Sequence, residues 1–290
     1  MLALSNVIFR WVWRGGNIIE VQGNKMYIDV FDPSPALRKT FQAYAMNLVH
    51  EEATTRLFRK LLHPGNVVLD LGANIGYFTL IAARAVGATG RVVSFEPERR
   101  NFWYLSKNVS INGLKQVTTH QMAIAEKSGW TKLYLCSYDS GHHTINQFQG
   151  IAAISRGRRY QEEAVDIRTV RVDDILDEMG IGHVDVIKMD VEGAEALAVA
   201  GMRKTLLQNN VKVFLEFFPI LMEKMGTNPR AYIESLLNDF GFRMYAVGRD
   251  HDLSGAPEDL ISVKSYAELA SMLHAEDAHV NLFLSKESPR

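Results

Sequence analysis

The stretch from Asn66 to Phe78, NVVLDLGANIGYF, constrains this chain more than any other. Val67, Val68 and Leu69 form a short apolar run that reads as a buried strand, closed by Asp70 and Leu71. Gly72-Ala73-Asn74-Ile75-Gly76 then makes a tight turn, and Tyr77 to Val86 (YFTLIAARAV) has the composition of a helix. A strand, a glycine turn and a helix in that order predict the first unit of a parallel α/β sheet. The glycines let the backbone turn sharply and approach a ligand closely. The start of the helix carries unpaired N–H groups, which suit a carboxylate or a phosphate.

Spacing narrows the ligand. A dinucleotide fingerprint reads G-x-G-x-x-G. Here Asp70 to Gly76 reads D-x-G-x-x-x-G, with Asn74 where the middle glycine would stand. Twenty residues past Gly76, the run Arg91-Val-Val-Ser-Phe-Glu96-Pro97 reads as a second strand ending in an acid. An acid there is positioned to bond two ribose hydroxyls. Turn, acid and interval together point to a nucleoside. The plainer alternative is an α/β turn with a satisfied Glu96.

Within 290 residues, one α/β domain with an added N-terminal piece uses the length fully. An apolar content of 47% is ample for a core, and a net charge of −1 gives no global attraction to nucleic acid or an anionic membrane. The one cysteine, Cys136, excludes an intrachain disulfide and fits a reducing compartment, so a cytoplasmic location is expected. The N-terminal MLALSNVIFRWVWRGG lacks the basic start and cleavage site of a signal peptide. Its Trp11 and Trp13 could lie on a membrane surface or on a second copy in a homodimer. Packing on their own domain is the plainer reading.

Taken in order, Asn17 to Phe31 reads as a β-hairpin around QGNK, and Ala36 to Leu62 as a helical stretch ended by His63-Pro64-Gly65. Glu51 and Glu52 could help hold an ammonium group, but a solvated helix face is the plainer reading. A helix from about Glu98 to Ile111 and a third strand, Gln116 to Gln121, follow. The alternation then breaks. Residues 126–164 are polar and irregular, apart from a strand in WTKLYL, and carry a basic patch at Arg156, Arg158 and Arg159. A long loop at the ligand end of a sheet reads as a substrate-facing insertion. Val165–Val172 is a further strand and Asp173–Met179 a short helix. Val184–Met189 and Val211–Phe217 are the fourth and fifth parallel strands, and Gly241–Val247 and His279–Ser285 the last two. The expected division is an N-terminal hairpin and helical segment, 1–62, packed on a domain at 63–290.

Asp70, Glu96, Asp190 and Glu216 then end four successive strands. The carboxyl ends of an open parallel sheet border its ligand crevice. Four acids there serve a phosphate-rich dinucleotide poorly and a cation well. S-adenosylmethionine, a nucleoside carrying a sulfonium and an ammonium, fits best.

From Val67 to Phe217 the chain resembles the FkbM family of S-adenosylmethionine-dependent O-methyltransferases. DLGANIGYF (Asp70–Phe78), FEPERRNFWYLSKNVSINGL (Phe95–Leu114), AIAEKSG (Ala123–Gly129) and IKMDVEGAE (Ile187–Glu195) carry the resemblance, and LEFFP (Leu215–Pro219) matches more loosely. It implies a Rossmann-like seven-stranded methyltransferase fold, mostly parallel with an antiparallel last strand. It also implies that Asp70, Gly72, Asn74 and Gly76, with their neighbours Ala73 and Tyr77, cradle the methionine part. Glu96, followed by Pro97, would take the ribose, the region of Ala123 the adenine, and Asp190 would face the transferable methyl. The 126–164 insertion and both ends of the chain carry little of the pattern, so a small-molecule or glycan acceptor is expected without being specified.

Candidates for the base that takes the acceptor's proton are Asp190, Glu216 and His142 or His143. Asp190 could equally hold the cofactor or cap a helix. Oxygen ligands such as Asp190 suit Mg²⁺, but there is no dedicated metal spacing and no metal is predicted. A nicotinamide oxidoreductase would need the missing glycine. A nucleic-acid amine methyltransferase would place an Asn/Asp-Pro-Pro-aromatic run where Asp190-Val191-Glu192-Gly193 stands, so no nucleic-acid partner is expected. A non-catalytic binding protein on the same fold is the remaining alternative.

Overall fold

The computed structural model describes residues 16–46, 48–136, 143–145, 164–208, 210–248, 250, 253, 260–274 and 278–288. The readings made on Trp11, Trp13, His142 and the Arg156–Arg159 patch lie outside the described residues.

Strands β1 (Asn17–Val21) and β2 (Asn24–Ile28) form the expected hairpin, its turn made by Gln22 and Gly23 at φ 52° and 79°. The single helical stretch expected over 36–62 is two helices, α1 (Pro35–Ala45) and α2 (Glu52–Leu61). Ser34 caps α1 through its side chain, and Pro35 supplies a first-turn residue that needs no N–H partner. The chain then breaks, and Glu51 takes a left-handed conformation, φ 44°, before α2 begins.

The alternating core follows: β3 (Val67–Leu71), α3 (Tyr77–Val86), β4 (Arg91–Phe95), α4 (Arg99–Ile111) and β5 (Val117–His120). The insertion is framed by β6 (Ala123–Ile124), β7 (Gly129–Tyr134) and β8 (Ala164–Val170), which form their own three-stranded sheet with β8 in the middle. Then come α5 (Val172–Glu178), β9 (Val186–Met189), α6 (Glu195–Gly201), α7 (Arg203–Leu206), β10 (Lys212–Phe217), α8 (Pro219–Lys224), α9 (Pro229–Asn238), β11 (Arg243–Val247), β12 (Leu260–Val263), α10 (Tyr266–Met272) and β13 (Val280–Ser285). The large sheet runs β12-β11-β13-β10-β9-β3-β4-β5. Strands β5, β4, β3, β9 and β10 pair in parallel, and β13 is antiparallel to both of its neighbours, β10 and β11. This is the expected mostly parallel Rossmann-like sheet, with one antiparallel strand, β12, added at the edge.

Register explains how the sheet is used. Asp70 pairs with Ser94 on one side and Lys188 on the other, Lys188 with Phe214, and Phe214 with Phe283. Directly opposed residues share a face, so these five side chains form one row across the sheet. Helices α2 and α3 cover that face: Phe58 packs edge-on against both Phe78 and Phe214, with ring centroids 5.3 Å apart in each case. Across the central strands the opposite face is apolar. Leu69, Leu71, Ile187, Met189, Val213 and Leu215 are sealed there by residues of α5, α6 and α9, such as Leu176, Val199 and Ile233. One face thus holds the conventional core, and the other is the face on which charge is buried.

The start of α2 is fixed from far along the chain. Buried Asp250 accepts hydrogen bonds from the Ala53 and Thr54 N–H groups, at 2.9 and 2.7 Å. The Asn281 side-chain amide donates to Glu51 Oε2 at 2.9 Å and Thr54 Oγ1 at 3.0 Å. The hairpin is tied down in the same way, since Asn108 and Asn112 of the α4 end accept from the Tyr27 and Lys25 N–H groups.

Candidate functional site

At the carboxyl ends of β3, β4, β9 and β10 lies a cavity of 520 Å³. The glycine turn forms one end. The N–H groups of Gly72 and Ala73 donate to the Phe95 carbonyl at 3.0 and 2.9 Å, and that of Asn74 to Glu96 Oε2 at 2.8 Å. Gly72 has φ +83°, and a Cβ there would meet the Asp190 carbonyl oxygen at 1.8 Å, so only glycine lets β3 and β9 approach this closely. Gly76, at φ +97°, opens α3 without any side-chain cap, which leaves the first N–H groups of that helix to a ligand. Buried Asn74 Oδ1 has no hydrogen-bond partner. Tyr77 stacks on Tyr44 with centroids 5.5 Å apart, and its hydroxyl accepts from Thr55 Oγ1.

Glu96 is buried. Its other oxygen accepts the Glu98 N–H at 2.9 Å. Burial pushes the Glu96 carboxyl up to about 8, against the opposing pull of those two backbone donors. Asp70, also buried, accepts from Thr79 Oγ1 at 2.5 Å. Burial raises it to about 6, although the Thr79 hydroxyl and Lys188 work the other way. Pro97, Met122 and Ala123 continue the wall beyond Glu96.

The other end of the cavity carries charge. Lys188 occupies the middle of the large sheet with its side chain only 2% exposed. Its Nζ has no hydrogen bond and lies 3.6 Å from Asp190 Oδ2, 3.9 Å from Glu51 Oε2 and 4.9 Å from the centre of the Phe78 ring. Burial works against the ammonium, but Glu51, Asp190, Glu216 and Asp70 together hold its pKa above the usual lysine range. Asp190 and Glu216 sit at the ends of adjacent strands, as expected. Glu192, in a left-handed conformation at φ 54°, brings a third carboxylate, and one oxygen of each lies within 4.8 Å of the others. Burial and then Asp190, Glu192 and Glu51 raise the Glu216 pKa well above the ordinary value. His279 Nε2 is 3.6 Å from Glu216 Oε1, and its ring stacks on Phe218.

His143 lines the cavity. Its Nδ1 accepts the Cys136 N–H at 2.9 Å. That bond assigns the ring proton of neutral His143 to Nε2, so the ring presents a donor there rather than a base. Among the described residues, every site candidate except Gly76 and Glu52 lines this one cavity, and Gly76 caps the helix that opens onto it. Glu51 departs from the solvated-face reading. Its side chain is 3% exposed and it faces Lys188, whereas Glu52 is exposed. Lys188, His279, Tyr44 and Phe218 were not singled out from sequence, and Glu192 was read only as a residue that bonds the start of its own helix. A lysine inside the otherwise apolar strand VIKM was the one available signal.

An uncapped helix N-terminus, an unsatisfied Asn74 oxygen and a carboxylate one strand over fit an amino-acid-bearing nucleoside. The carboxylates beyond fit its positive charges. The comparisons point the same way. The chain belongs to the FkbM methyltransferase family, whose Methyltransferase FkbM domain matches residues 70–244. It is 29% identical over 195 residues to Methyltransferase sdnD of Sordaria araneosa, covering 60% of this chain and 73% of that protein. It is 29% identical over 161 residues to 31-O-demethyl-FK506 methyltransferase FkbM of Streptomyces tacrolimicus, covering 49% of this chain and 61% of that one. Against 2-O-methyltransferase NoeI of Sinorhizobium fredii the identity is 22% over 187 residues, covering 59% and 73%. A crystal structure of Methyltransferase FkbM from Methylobacillus flagellatus superposes with a TM-score of 0.43 at 16% identity, over 85% of this chain and 58% of that chain.

Two outcomes test this geometry. Removing one partner of a buried ion pair leaves the others uncompensated, so Lys188→Met should destabilise the fold by roughly 3–5 kcal/mol in urea unfolding at neutral pH. A loss under about 1 kcal/mol would mean that the carboxylates do not depend on this ammonium. The folded pKa of Glu96, about 8, lies above its ordinary value of 4.5. The folded state therefore binds the extra proton, and that stability is fully present below about pH 4.5 and lost as pH rises through about 8. Glu96→Gln mimics the protonated form, so wild type should lose stability relative to it between pH 5 and 8. A constant difference over that range would contradict the assignment.

Proposed function

We propose that the protein is an S-adenosylmethionine-dependent O-methyltransferase acting on a hydroxyl of a small molecule or glycan. The observation that carries this reading is the arrangement within one cavity: a glycine turn, an uncapped helix and Glu96 at one end, Asp190 among buried charges at the other. The O-methyltransferase names of two relatives support the oxygen acceptor.

Bound S-adenosylmethionine supplies an electrophilic methyl group. Asp70, Gly72, Asn74 and the start of α3 would hold its amino-acid part, Glu96 its ribose, and Met122 and Ala123 its adenine. The protein's own contribution is alignment and proton transfer. Fixing an acceptor oxygen in line with the methyl is worth up to ~7–11 kcal/mol in favourable intramolecular cases. Asp190 Oδ2 faces Lys188, while Oδ1 has no hydrogen-bond partner and is free to receive the acceptor's hydroxyl proton. Burial, reinforced by crowding from like charges, biases Glu216 toward its neutral form, which favours Asp190 over Glu216 as the base. The three clustered carboxylates could hold Mg²⁺ through oxygen ligands, but Lys188 Nζ, 3.6 Å from Asp190, already supplies a positive charge there.

Calorimetry should show that S-adenosylhomocysteine binds and NAD does not. Glu96→Ala should weaken S-adenosylhomocysteine by about 1–3 kcal/mol, the range for leaving a buried hydrogen-bonding group without its partner. Tight NAD binding with no S-adenosylhomocysteine binding would reverse the reading. Once an acceptor is in hand, Asp190→Asn should lower turnover at saturating donor by about 10²-fold or more while largely keeping the affinity for S-adenosylhomocysteine. Intact turnover with a weakened donor constant would instead assign Asp190 to holding the cofactor.

A further inference from the structure

The break between α1 and α2 does more than redirect the chain. Seven large apolar side chains are exposed among the described residues, and Met46, Leu48 and Val49 are three of them, at 55%, 55% and 42%. Isolated exposed apolar residues are ordinary, but three within four positions form a patch. Leu48 and Val49 also line the cavity, with Ala43 and Tyr44 from the last turns of α1. The patch is therefore the outer edge of the cavity wall.

The segment is anchored at both ends. The N–H groups of Met46 and Leu48 return to carbonyls of α1, from Gln42 and Ala43. Three residues on, Glu51 is held by Asn281 and faces Lys188, and α2 begins under the Asp250 cap. Fixed in this way, Leu48 and Val49 present apolar surface between solvent and the charged floor. Phe218, stacked on His279 beside Glu216, gives the same cavity a second apolar surface next to the carboxylates. Polar residues return at the α1 turn further out, where Lys39 and Thr40 also line the cavity.

We propose that the acceptor is an amphipathic small molecule. Its hydroxyl-bearing end would reach Asp190 and Glu216, and an apolar ring or chain attached to that end would run along Tyr44, Leu48 and Val49 toward Met46. A polar floor alone would serve a free sugar; an acceptor that buries apolar surface against the wall makes use of both. This inference deepens the methyltransferase reading and rests on the acceptor sharing the cofactor's cavity.

The test compares n-octyl β-D-glucoside, kept below its micelle concentration, with methyl β-D-glucoside. Both are titrated calorimetrically into the protein alone and into its S-adenosylhomocysteine complex. The octyl compound should bind at least about ten-fold more tightly, because part of its chain leaves water. In the double variant Leu48→Ser, Val49→Ser that advantage should vanish, while a urea-unfolding midpoint close to wild type shows that the variant folds. An octyl compound no tighter than the methyl one overturns the proposal. So does an advantage that survives in the double variant, which would mark it as an adventitious additive only. Binding of phosphatidylcholine vesicles through Leu48 and Val49 without any octyl advantage overturns it as well, and assigns the patch to a membrane. Absence of S-adenosylhomocysteine binding would defeat the cofactor reading separately, and the alkyl comparison on the protein alone would still decide this one.

Discussion

A single ammonium holds the charged face of this protein together. Lys188 stands in the central strand pair, almost fully buried, opposite Asp70 in register and within ion-pair distance of Glu51 and Asp190. A buried lysine is unfavourable unless anions surround it, and buried carboxylates are unfavourable unless a cation sits among them. Each therefore makes the other tolerable. The residues that carry Glu51 must then be placed with care, which accounts for Asp250 capping α2 and Asn281 bonding Glu51 from nearly two hundred or more residues away in sequence. The apolar face needs no such arrangement and is packed conventionally by α5, α6 and α9.

The same distribution of charge divides the cavity between two tasks. At the glycine turn the groups offered to a ligand are backbone groups and an uncapped helix, with Glu96 buried beside them. At the Asp190 end the groups are side chains crowded enough to move one another's protonation. Charge and burial order that crowd: one oxygen of Asp190 faces Lys188 at ion-pair distance, and burial together with the neighbouring carboxylates biases Glu216 toward neutrality. His143, with Nδ1 already accepting from Cys136, presents a donor.

The sequence made the framework legible because local rules determine it. A short apolar strand ending in Asp70, a five-residue turn with glycines at both ends and an apolar helix admit few folds, and the acids at strand ends follow the sheet's topology. The mostly parallel sheet came out accordingly, and the strand-end acids border one cavity. What was not legible depends on tertiary contacts. The helical spacing of 36–62 runs through a break that only a left-handed Glu51, held by Asn281, reveals. The solvated-face reading of Glu51 failed for the same reason, since no local pattern tells that a glutamate faces a lysine more than a hundred residues away. Strand β12 is four residues long and pairs only with β11, too short for periodicity to register. Lys188 was visible as a lysine in an apolar strand, but its importance emerges only when β3, β9 and α2 are brought together.

Where the donor's sulfur sits relative to this buried charge decides how the two ends of the cavity work together. A crystal structure of the S-adenosylhomocysteine complex measures it directly. The ribose hydroxyls should lie within hydrogen-bond distance of Glu96, the amino-acid part against Gly72–Gly76, and the sulfur should face Asp190, with Lys188 still buried between Asp190 and Glu51. A nucleoside bound elsewhere, or a sulfur turned away from Asp190 with Lys188 swung out to solvent, would contradict this arrangement.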